Sequence, residues 1–333
     1  MFNSAVIGLG NISRVHVSAI KSFDNARLAA VCDTNPAKKE QLPEGAAFYT
    51  DVDELLRKEK IDIAHICLPH YLHYPVAKKV AEAGVNIFAE KPLAMNAKEG
   101  EEYCKLEKAN KVKICLCFQN RLNTTNEMLY DIIQKKKYGK VIGIRGSVAW
   151  YRSKEYYEAG PWRALMDEAG GGCMINQAIH TMDLIQYFAG SPLVSAKGTM
   201  GQILDYGIEV EDTAAGHFIF ENGVRGLFIA SVANFADENV EMSIRCEEAD
   251  FILRDKKLIK RKDGEEEVIA EDSKAFAGKQ VYGSSHVKLI ERFYQAVKTG
   301  SDDYIHPEEG IPSLKMIDAI LESSKSGKTI KFN

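Results

Sequence analysis

The chain has 333 residues, of which 45% are hydrophobic and 27% charged, with a formal net charge of -4 at pH 7. This length is ample for two domains with separate cores, but no apolar run is long enough to cross a membrane as a helix. A slightly acidic chain has no general attraction for nucleic acid. We therefore expect a cytoplasmic protein that binds neither membranes nor nucleic acid.

Seven cysteines without a paired C-x-x-C spacing also indicate reduced thiols and a cytosolic setting. The first residues enter a strand-like segment directly, without the form of a signal peptide.

The N-terminal segment has the order strand, glycine turn, helix that is typical of dinucleotide-binding folds. Residues 4–7 form an apolar strand, Gly8 and Gly10 lie in the turn, and a helix is predicted from residue 11 to residue 22. The first glycine permits the tight turn, and the second lets the backbone approach a pyrophosphate at the helix N-terminus. Ser13 stands where the pattern has its third glycine. The candidate cofactor-binding residues here are Gly8, Gly10, Asn11 and Ile12.

Asp33 indicates NAD rather than NADP. It ends the second apolar strand, 28–32, close to the spacing at which an acidic side chain binds the ribose hydroxyls of NAD. Its charge would repel a 2′-phosphate, and residues 34–36 include no arginine that would bind one. NADP is the less favoured cofactor. The structural alternative is a glycine turn and a surface aspartate in some other α/β protein.

Helix and strand patterns alternate over residues 1–120, and strands dominate afterwards. The alternation predicts a doubly wound parallel sheet, a Rossmann domain. For 121–333 we predict an α+β domain with a large, mostly antiparallel open sheet, built on strands between 141 and 255. Helices are expected to cover one face of that sheet, leaving the other to pack on a second subunit. We therefore expect a homodimer or homotetramer.

The basic residues 256–262 are interpreted as one strand of a hairpin. They meet Asp263-Gly264 and then the acidic residues 265–267. Asp-Gly is a typical hairpin turn, and opposite charges across the two strands stabilise the pair. A hairpin is favoured here over a nucleic-acid site.

Lys91 is the main candidate for chemistry. The sequence Glu90-Lys91-Pro92 follows the apolar strand 85–89, and side chains beyond the C-terminal end of such a strand lie where ligands bind. The lysine amine has an unperturbed pKa of about 10.4. Desolvation and the positive nicotinamide ring would lower that pKa, so Lys91 either exchanges a proton or hydrogen-bonds the reacting oxygen. Glu90 would balance its charge. The alternative is a surface lysine before a turn-forming proline.

A second set of candidates follows Gly170-Gly171-Gly172. Asn176, His180 and Asp183 recur at spacings of four and three, which predicts one helix with all three on one face. His180 would suit a general base for a hydroxyl, with Asp183 orienting its ring. A purely structural histidine is the alternative.

Both tryptophans of the chain lie within residues 150–163, among tyrosines and arginines. Aromatic faces suit the apolar patches of a sugar ring, and arginine suits hydroxyls, a carboxylate or a phosphate. The candidate substrate-binding residues here are Tyr157, Trp162 and Arg163, and residues 282–286 are a weaker candidate. A packed loop or a subunit contact is the alternative.

In this order, the motifs resemble those of the glucose-fructose oxidoreductase, inositol dehydrogenase and rhizopine-catabolism (Gfo/Idh/MocA) family over essentially the whole chain. The matching residues are the turn 8–12, Leu68-Pro69 with His70 and His73, Glu90-Lys91-Pro92, and Gly170-Gly171-Gly172 with Asn176 and His180. The resemblance implies a Rossmann domain, a C-terminal domain whose sheet serves oligomerisation, and hydride transfer between a nicotinamide cofactor and a carbohydrate-like alcohol or ketone.

The resemblance also implies cofactor-side roles for particular residues. The loop after the fourth strand would flank the nicotinamide, and a cis Lys91–Pro92 bond is compatible with the family. The residues concerned are Leu68, Pro69, His70, His73, Glu90 and Lys91. His65, His70 and His73 do not form a metal set, and no metal is expected.

Asn176 departs from the family's commonest pattern, which has an aspartate at this position. An amide cannot accept a proton, although it can exchange hydrogen bonds with a hydroxyl. Asn176 is therefore assigned to substrate binding together with Lys91 and His180, and proton transfer to Lys91 and His180.

The expected function is an NAD-dependent oxidoreductase that acts on a sugar, a sugar derivative or a cyclitol. One alternative is a redox-neutral enzyme that retains NAD for epimerisation, elimination or glycoside cleavage. The other is a non-catalytic regulator that senses NAD and a sugar.

Overall fold

The computed structural model describes residues 1–41, 45–272 and 285–332. They form two compact units, each described here by itself. The first contains residues 1–94, 98–119 and 285–310, and the second contains 95–97, 120–272 and 311–332. The chain enters the larger part of the second unit after Gln119. The return of 285–310 to the first unit differs from the prediction of one continuous domain over 121–333, because the helix His286–Thr299 packs on the helix Ser13–Ser22.

A six-stranded parallel sheet forms the first unit. Its strands lie in the order β3-β2-β1-β4-β5-β6. This is the doubly wound Rossmann arrangement that the sequence predicts, with the topological switch between β1 and β4. The strands are β1 Phe2–Ile7, β2 Ala26–Cys32, β3 Ala47–Tyr49, β4 Ile63–Ile66, β5 Asn86–Ala89 and β6 Ile114–Leu116.

Helices cover this sheet through apolar faces with helical spacing. On the helix His286–Thr299, for example, Leu289, Ile290, Phe293 and Tyr294 are all buried, which is the i, i+1, i+4, i+5 pattern of a core-facing helix. The helices before the second unit are α1 Ser13–Ser22, α2 Val52–Lys58, α3 His73–Glu82 and α4 Ala97–Asn110, and the returning helix is α10.

A nine-stranded sheet forms the second unit, in the order β14-β13-β12-β11-β7-β10-β9-β8-β15. Neighbouring strands are antiparallel except β7 and β10, so the prediction of a large, mostly antiparallel sheet is confirmed. The strands are β7 Val141–Ala149, β8 Leu193–Gly201, β9 Thr213–Phe220, β10 Arg225–Ser231, β11 Glu241–Cys246, β12 Asp250–Arg254, β13 Lys257–Lys262, β14 Glu265–Glu271 and β15 Ile330–Lys331.

Helices pack on one face of this sheet. Along β10, Gly226, Phe228 and Ala230 are buried, whereas Leu227 and Ile229 between them are exposed. This alternation is typical of a sheet covered on one side. The helices are α5 Thr124–Gln134, α6 Lys154–Glu158, α7 Met166–Ala169, α8 Cys173–Asn176, α9 Ile179–Ala189 and α11 Ile311–Ser326.

The charged hairpin is confirmed. Asp263 and Gly264 both have positive φ, as a two-residue hairpin turn requires. Lys260 on β13 lies opposite Glu267 on β14, with their charged atoms 2.6 Å apart, and Arg261 pairs with Glu266 in the same way. The basic stretch is therefore neutralised within its own sheet.

All seven cysteines are free thiols, as expected. In the parts of the chain that the structure describes, no helix has both the length and the hydropathy needed to cross a membrane.

Candidate active site

The glycine turn of the first unit is set by close backbone packing. Gly8 follows β1 with a φ of +91°, and a Cβ atom on it would lie 2.3 Å from the carbonyl oxygen of Cys67, just after β4. Only glycine fits there. Gly10 differs, because a Cβ atom on it would meet no described atom within 4 Å. The fold itself does not require glycine at position 10, so the space beside it suits the close approach of a ligand.

The start of α1 provides donors for an anion. The helix begins at Ser13 rather than at residue 11, and its first turn contains no acidic residue. The unpaired N–H groups and the helix dipole at this end favour negative charge. Ser13 donates from its hydroxyl to the Gly10 carbonyl at 2.6 Å and so closes the turn. This set of backbone donors fits a pyrophosphate.

Asp33 lies beside the same turn. Its carboxylate accepts hydrogen bonds from the backbone N–H groups of Leu9, at 2.8 Å, and Asn35, at 2.9 Å. These bonds fix an acidic side chain at the C-terminal end of β2, where the ribose of a bound dinucleotide is held in such folds. Gly8, Gly10, the start of α1 and Asp33 together fit NAD. Asn11 is exposed and Ile12 is half-buried in this region.

The loop after β4 is joined to the turn after β5 by His73. Its Nδ1 lies 2.7 Å from the carbonyl oxygen of Pro92, and its Nε2 lies 2.8 Å from that of Leu68. Burial lowers the pKa of His73, so the neutral ring donates to one carbonyl at a time. These contacts favour a structural role for His73 rather than the predicted direct contact with cofactor. Pro69 is half-buried, and His70 is buried in a short 3-10 helix.

Glu90 is buried, and it is held by two histidines that are distant from it in the sequence. Its Oε1 lies 3.0 Å from His16 Nε2 and 3.5 Å from His286 Nε2. Burial alone would raise the pKa of Glu90, but hydrogen bonds from His16 and His286 and their charges outweigh burial and hold that pKa well below its ordinary value. Glu90 is therefore a buried carboxylate anion.

Lys91 follows this anion directly. Its backbone N–H donates to Glu90 Oε2 at 3.2 Å, its side chain is half-buried, and the Lys91–Pro92 peptide bond is cis, as the resemblance allows. The backbone at Lys91 is thus fixed on one side by its hydrogen bond to the buried Glu90 carboxylate. On the other side it is fixed by the peptide bond to the buried Pro92.

In the second unit, Glu211 holds the glycine-rich segment. Its two carboxylate oxygens accept hydrogen bonds from the backbone N–H groups of Gly172, at 2.8 Å, and Met174, at 3.0 Å. A Cβ atom on Gly172 would lie 1.8 Å from the Glu211 carbonyl oxygen, so glycine is required there. Gly170 and Gly171 have positive φ. Burial raises the pKa of Glu211.

Asn176 and His180 do not share one helix, so the predicted continuous face is wrong. Asn176 ends the short helix α8, Gln177 and Ala178 form a break, and His180 is the second residue of α9. The side-chain amides of Asn176 and Gln177 both donate to the hydroxyl of Tyr156, at 3.2 and 2.9 Å. Gln177 and Tyr156 were not predicted as site residues, although both adjoin predicted ones.

Asp183 forms a buried ion pair with Arg121. The arginine donates from Nε to Oδ2 at 2.8 Å and from Nη2 to Oδ1 at 2.6 Å, which is a two-point contact. Arg121 also lies over the ring of Tyr187, which stacks on Tyr130. These contacts hold α9 in place through Asp183 and Tyr187, and α9 also contains the buried His180.

Tyr157 is a core residue, which corrects its predicted role in substrate binding. It is buried with Ala169, Ile208 and Val210, because the turn of α6 directs it inward. The neighbouring Tyr156 has its hydroxyl at the two amides instead.

The predicted pair Trp162 and Arg163 lies in a 3-10 helix beside Tyr156. The guanidinium of Arg163 is 4.7 Å from the Tyr156 ring centre and 5.1 Å from that of Trp162. The aromatic and arginine side chains are thus adjacent, as predicted. Of the weaker candidate 282–286, residues 282–284 lie outside the described residues.

Two family models match the chain. One, described as an oxidoreductase family with an NAD-binding Rossmann fold, covers residues 2–118, and the GFO/IDH/MocA C-terminal domain covers residues 127–252.

This chain belongs to the GFO/IDH/MocA oxidoreductase family. An enzyme of the nicotinamide-dependent oxidoreductase class and an NAD-binding Rossmann domain are therefore confirmed, as is the family resemblance itself.

Several family members are similar over most or all of this chain. The D-glucoside 3-dehydrogenase of Escherichia coli is 23% identical, with 98% of this chain and 97% of the relative covered. The inositol 2-dehydrogenase of Rhizobium meliloti is 26% identical over 61% of this chain and 59% of its own. The WlbA dehydrogenase of Bordetella pertussis, solved with NADH and UDP-GlcNAcA, is 24% identical, with a TM-score of 0.85 and coverage of 100% and 99%.

Proposed function

We propose that this protein is an NAD-dependent dehydrogenase that interconverts a hydroxyl and a ketone on a sugar, a sugar derivative or a cyclitol. The observation that carries the proposal is Lys91, half-buried directly after β5 and next to the ionised Glu90. The bound nicotinamide supplies the acceptor or donor of hydride. NAD is preferred to NADP because Asp33 places a negative charge where NADP carries its 2′-phosphate.

Lys91 and His180 are proposed to manage the hydroxyl proton. When the substrate carbon loses its hydride, the hydroxyl oxygen must also lose its proton, and a neutral imidazole can accept it. A charged lysine amine would donate a hydrogen bond to the same oxygen and stabilise its developing negative charge. In the reducing direction, the same two groups would return the proton.

Asn176, Trp162 and Arg163 are proposed to bind the rest of the substrate. Amides and arginine donate hydrogen bonds to hydroxyls, and the aromatic face suits C–H patches of a ring. The similar proteins named for glucoside, inositol and UDP-GlcNAcA support a carbohydrate-like substrate. Residues 1–120 would bind NAD, and most of 121–333 would bind substrate.

The test is absorbance of reduced nicotinamide while purified protein and NAD meet a panel of aldoses, sugar acids, amino sugars, nucleotide sugars and inositols. We expect growth of the signal with one substrate class, and a slower response with NADP. If the protein binds NAD but reduces it with no compound of the panel, the proposal of net dehydrogenation is contradicted. Product analysis by mass spectrometry would then separate the redox-neutral alternative from a sensor without turnover.

The protein is also proposed to be a cytoplasmic homodimer or homotetramer that associates through the uncovered face of the nine-stranded sheet. Leu227 and Ile229 are 41% and 45% exposed on β10, near the middle of the sheet. Ile229 lies between the small residues Ala215 and Ser147, and Leu227 lies between His217 and Arg145.

The double substitution Leu227→Asp and Ile229→Asp is expected to convert the oligomer into a monomer, because two charges would be buried at the subunit contact. Molar mass from light scattering after size exclusion is the measurement. Val268→Asp is the matched control, since Val268 is 52% exposed on the edge strand β14. A monomeric wild type, or an unchanged mass in the double variant, would contradict this use of the face.

A further inference from the structure

Five buried side chains of the first unit form an unbroken chain of hydrogen bonds that ends at Glu90. The steps are Ser4 Oγ to Tyr294 Oη, 2.6 Å; Tyr294 Oη to His65 Nε2, 2.9 Å; His65 Nδ1 to His16 Nδ1, 2.8 Å; and His16 Nε2 to Glu90 Oε1, 3.0 Å. Each residue is at most 5% exposed. The chain joins β1, α10, β4, α1 and the end of β5.

The carboxylate sets the direction of the bond that reaches it. An ionised Glu90 only accepts, so His16 must donate from Nε2. Between His16 and His65, one Nδ1 atom donates to the other. The neutral His65 ring has one donor nitrogen and one acceptor nitrogen. It therefore donates to one of its two partners, His16 and Tyr294, and accepts from the other, so the chain is continuous through His65.

We propose that His16, His65 and Tyr294 are positioning residues, which keep Glu90 ionised and hold its carboxylate against the backbone N–H of Lys91. This inference rests on the proposed function, in which Lys91 acts on the reacting oxygen. Glu90 Oε1 takes the bond from His16, and Oε2 takes the bond from Lys91 N–H, so one carboxylate links the buried chain to the candidate catalytic residue.

Core packing alone does not require these polar groups. His65 lies on the central strand β4 among Ile63, Ala64 and Ile66, and its ring stacks on Phe88. An apolar side chain would fill this place without the cost of burying polar atoms. Burial lowers the pKa of His65 well below its ordinary value, so the ring stays neutral and donates through one nitrogen only.

Glu90 carries the negative charge in this cluster of titratable groups. Burial raises the pKa values of the Cys67 and Cys117 thiols well above the ordinary range, which keeps both neutral. The groups that face Glu90 are His16 from α1, His65 from β4, Cys67 after β4, His73 from α3, Lys91 itself, Cys117 after β6 and His286 from α10.

Tyr294→Phe tests the chain at a point three hydrogen bonds from Glu90. Tyr103→Phe is the matched control, because Tyr103 is equally buried in the first unit and its hydroxyl has no hydrogen-bond partner among the described residues. We expect Tyr294→Phe to lower kcat about tenfold, because it removes the hydroxyl that bonds both Ser4 and His65, with NAD affinity unchanged. Tyr103→Phe should leave both unchanged.

The pH profile has a definite sign. Without the Tyr294 hydroxyl, the chain stabilises the Glu90 anion less, so the pKa of Glu90 rises. The acid limb of kcat/KM should therefore move to higher pH in Tyr294→Phe and stay in place in Tyr103→Phe. Equal profiles for the two variants would overturn the positioning role.

Nitrogen NMR of labelled histidines tests the chain without any substrate. We expect the Nε2 resonance of His65 to move in Tyr294→Phe and to stay in place in Tyr103→Phe, and an unmoved resonance in both variants would overturn the chain. Hydrogen exchange at the Lys91 amide, measured relative to that of Ile87 in β5, should be faster in Tyr294→Phe than in Tyr103→Phe. Equal relative rates would overturn the link to Lys91. A wild type without dehydrogenase activity would reject the proposed function. The NMR and hydrogen-exchange measurements need no activity, so they would still show whether the hydrogen-bond chain supports Glu90 and Lys91.

Discussion

Lys91→Met is expected to lower kcat by about 10²–10⁴-fold while NAD still binds with nearly wild-type affinity. Methionine keeps the length and the apolar stem of lysine but removes the charge and the donor. The peptide group at position 91 should stay in place, because the backbone N–H that donates to Glu90 is retained. The loss would therefore report the amine and not the turn.

His180→Asn is expected to give a loss of the same order, since it removes the imidazole that accepts the proton and retains a polar side chain. The exposed Lys98 in α4 serves as the control, and Lys98→Met should leave kcat unchanged. Steady-state kinetics and calorimetric NAD binding are the measurements. A fall in NAD affinity as large as the fall in kcat would assign Lys91 or His180 to cofactor binding instead.

Gly8→Ala and Gly10→Ala are expected to fail in different ways. At Gly8 the new methyl group would lie 2.3 Å from the Cys67 carbonyl oxygen in a left-handed backbone conformation, so we expect a loss of stability of about 2–5 kcal/mol. At Gly10 the methyl group meets no described atom within 4 Å, so stability should change by less than about 0.5 kcal/mol.

The same Gly10→Ala variant should bind NAD at least about tenfold more weakly, because its methyl group occupies the space that the pyrophosphate needs. Gly201→Ala is the control, since a Cβ atom there also meets nothing within 4 Å and the residue lies in the other unit. Urea unfolding and NAD titration separate the two effects. A stable Gly10→Ala variant with unchanged NAD affinity would remove Gly10 from the cofactor site.

Local patterns were sufficient for the Rossmann unit and the charged hairpin. Gly8, Gly10 and Asp33 act through their own backbone or their near neighbours, so their spacing carries the information. The same holds for Asp263-Gly264, where the turn and the charges that flank it are adjacent in the chain. The helices α10 and α11 also have periodic apolar residues, such as Leu289, Phe293 and Leu314.

Local spacing failed where the backbone changes course within a few residues. Asn176 and His180 have helical spacing, but the break at Gln177 and Ala178 separates them, since the start of α8 is held by bonds to Glu211 from another part of the chain. Tyr156 and Tyr157 are likewise equivalent in sequence. Only the packing of Tyr157 with Val210 decides which hydroxyl meets the amides.

The sequence by itself determined the family, the NAD-binding turn and the place of Lys91 after its strand, because each depends on contiguous residues and strand order. Only the tertiary structure revealed that Glu90 is buried and is joined through His16 and His65 to Tyr294. One hydrogen bond among them joins residues that are 229 positions apart in the chain. No periodic pattern in the sequence encodes such contacts. They arise when β4, α1 and α10 pack together, which places polar side chains in an apolar interior where each must find a partner.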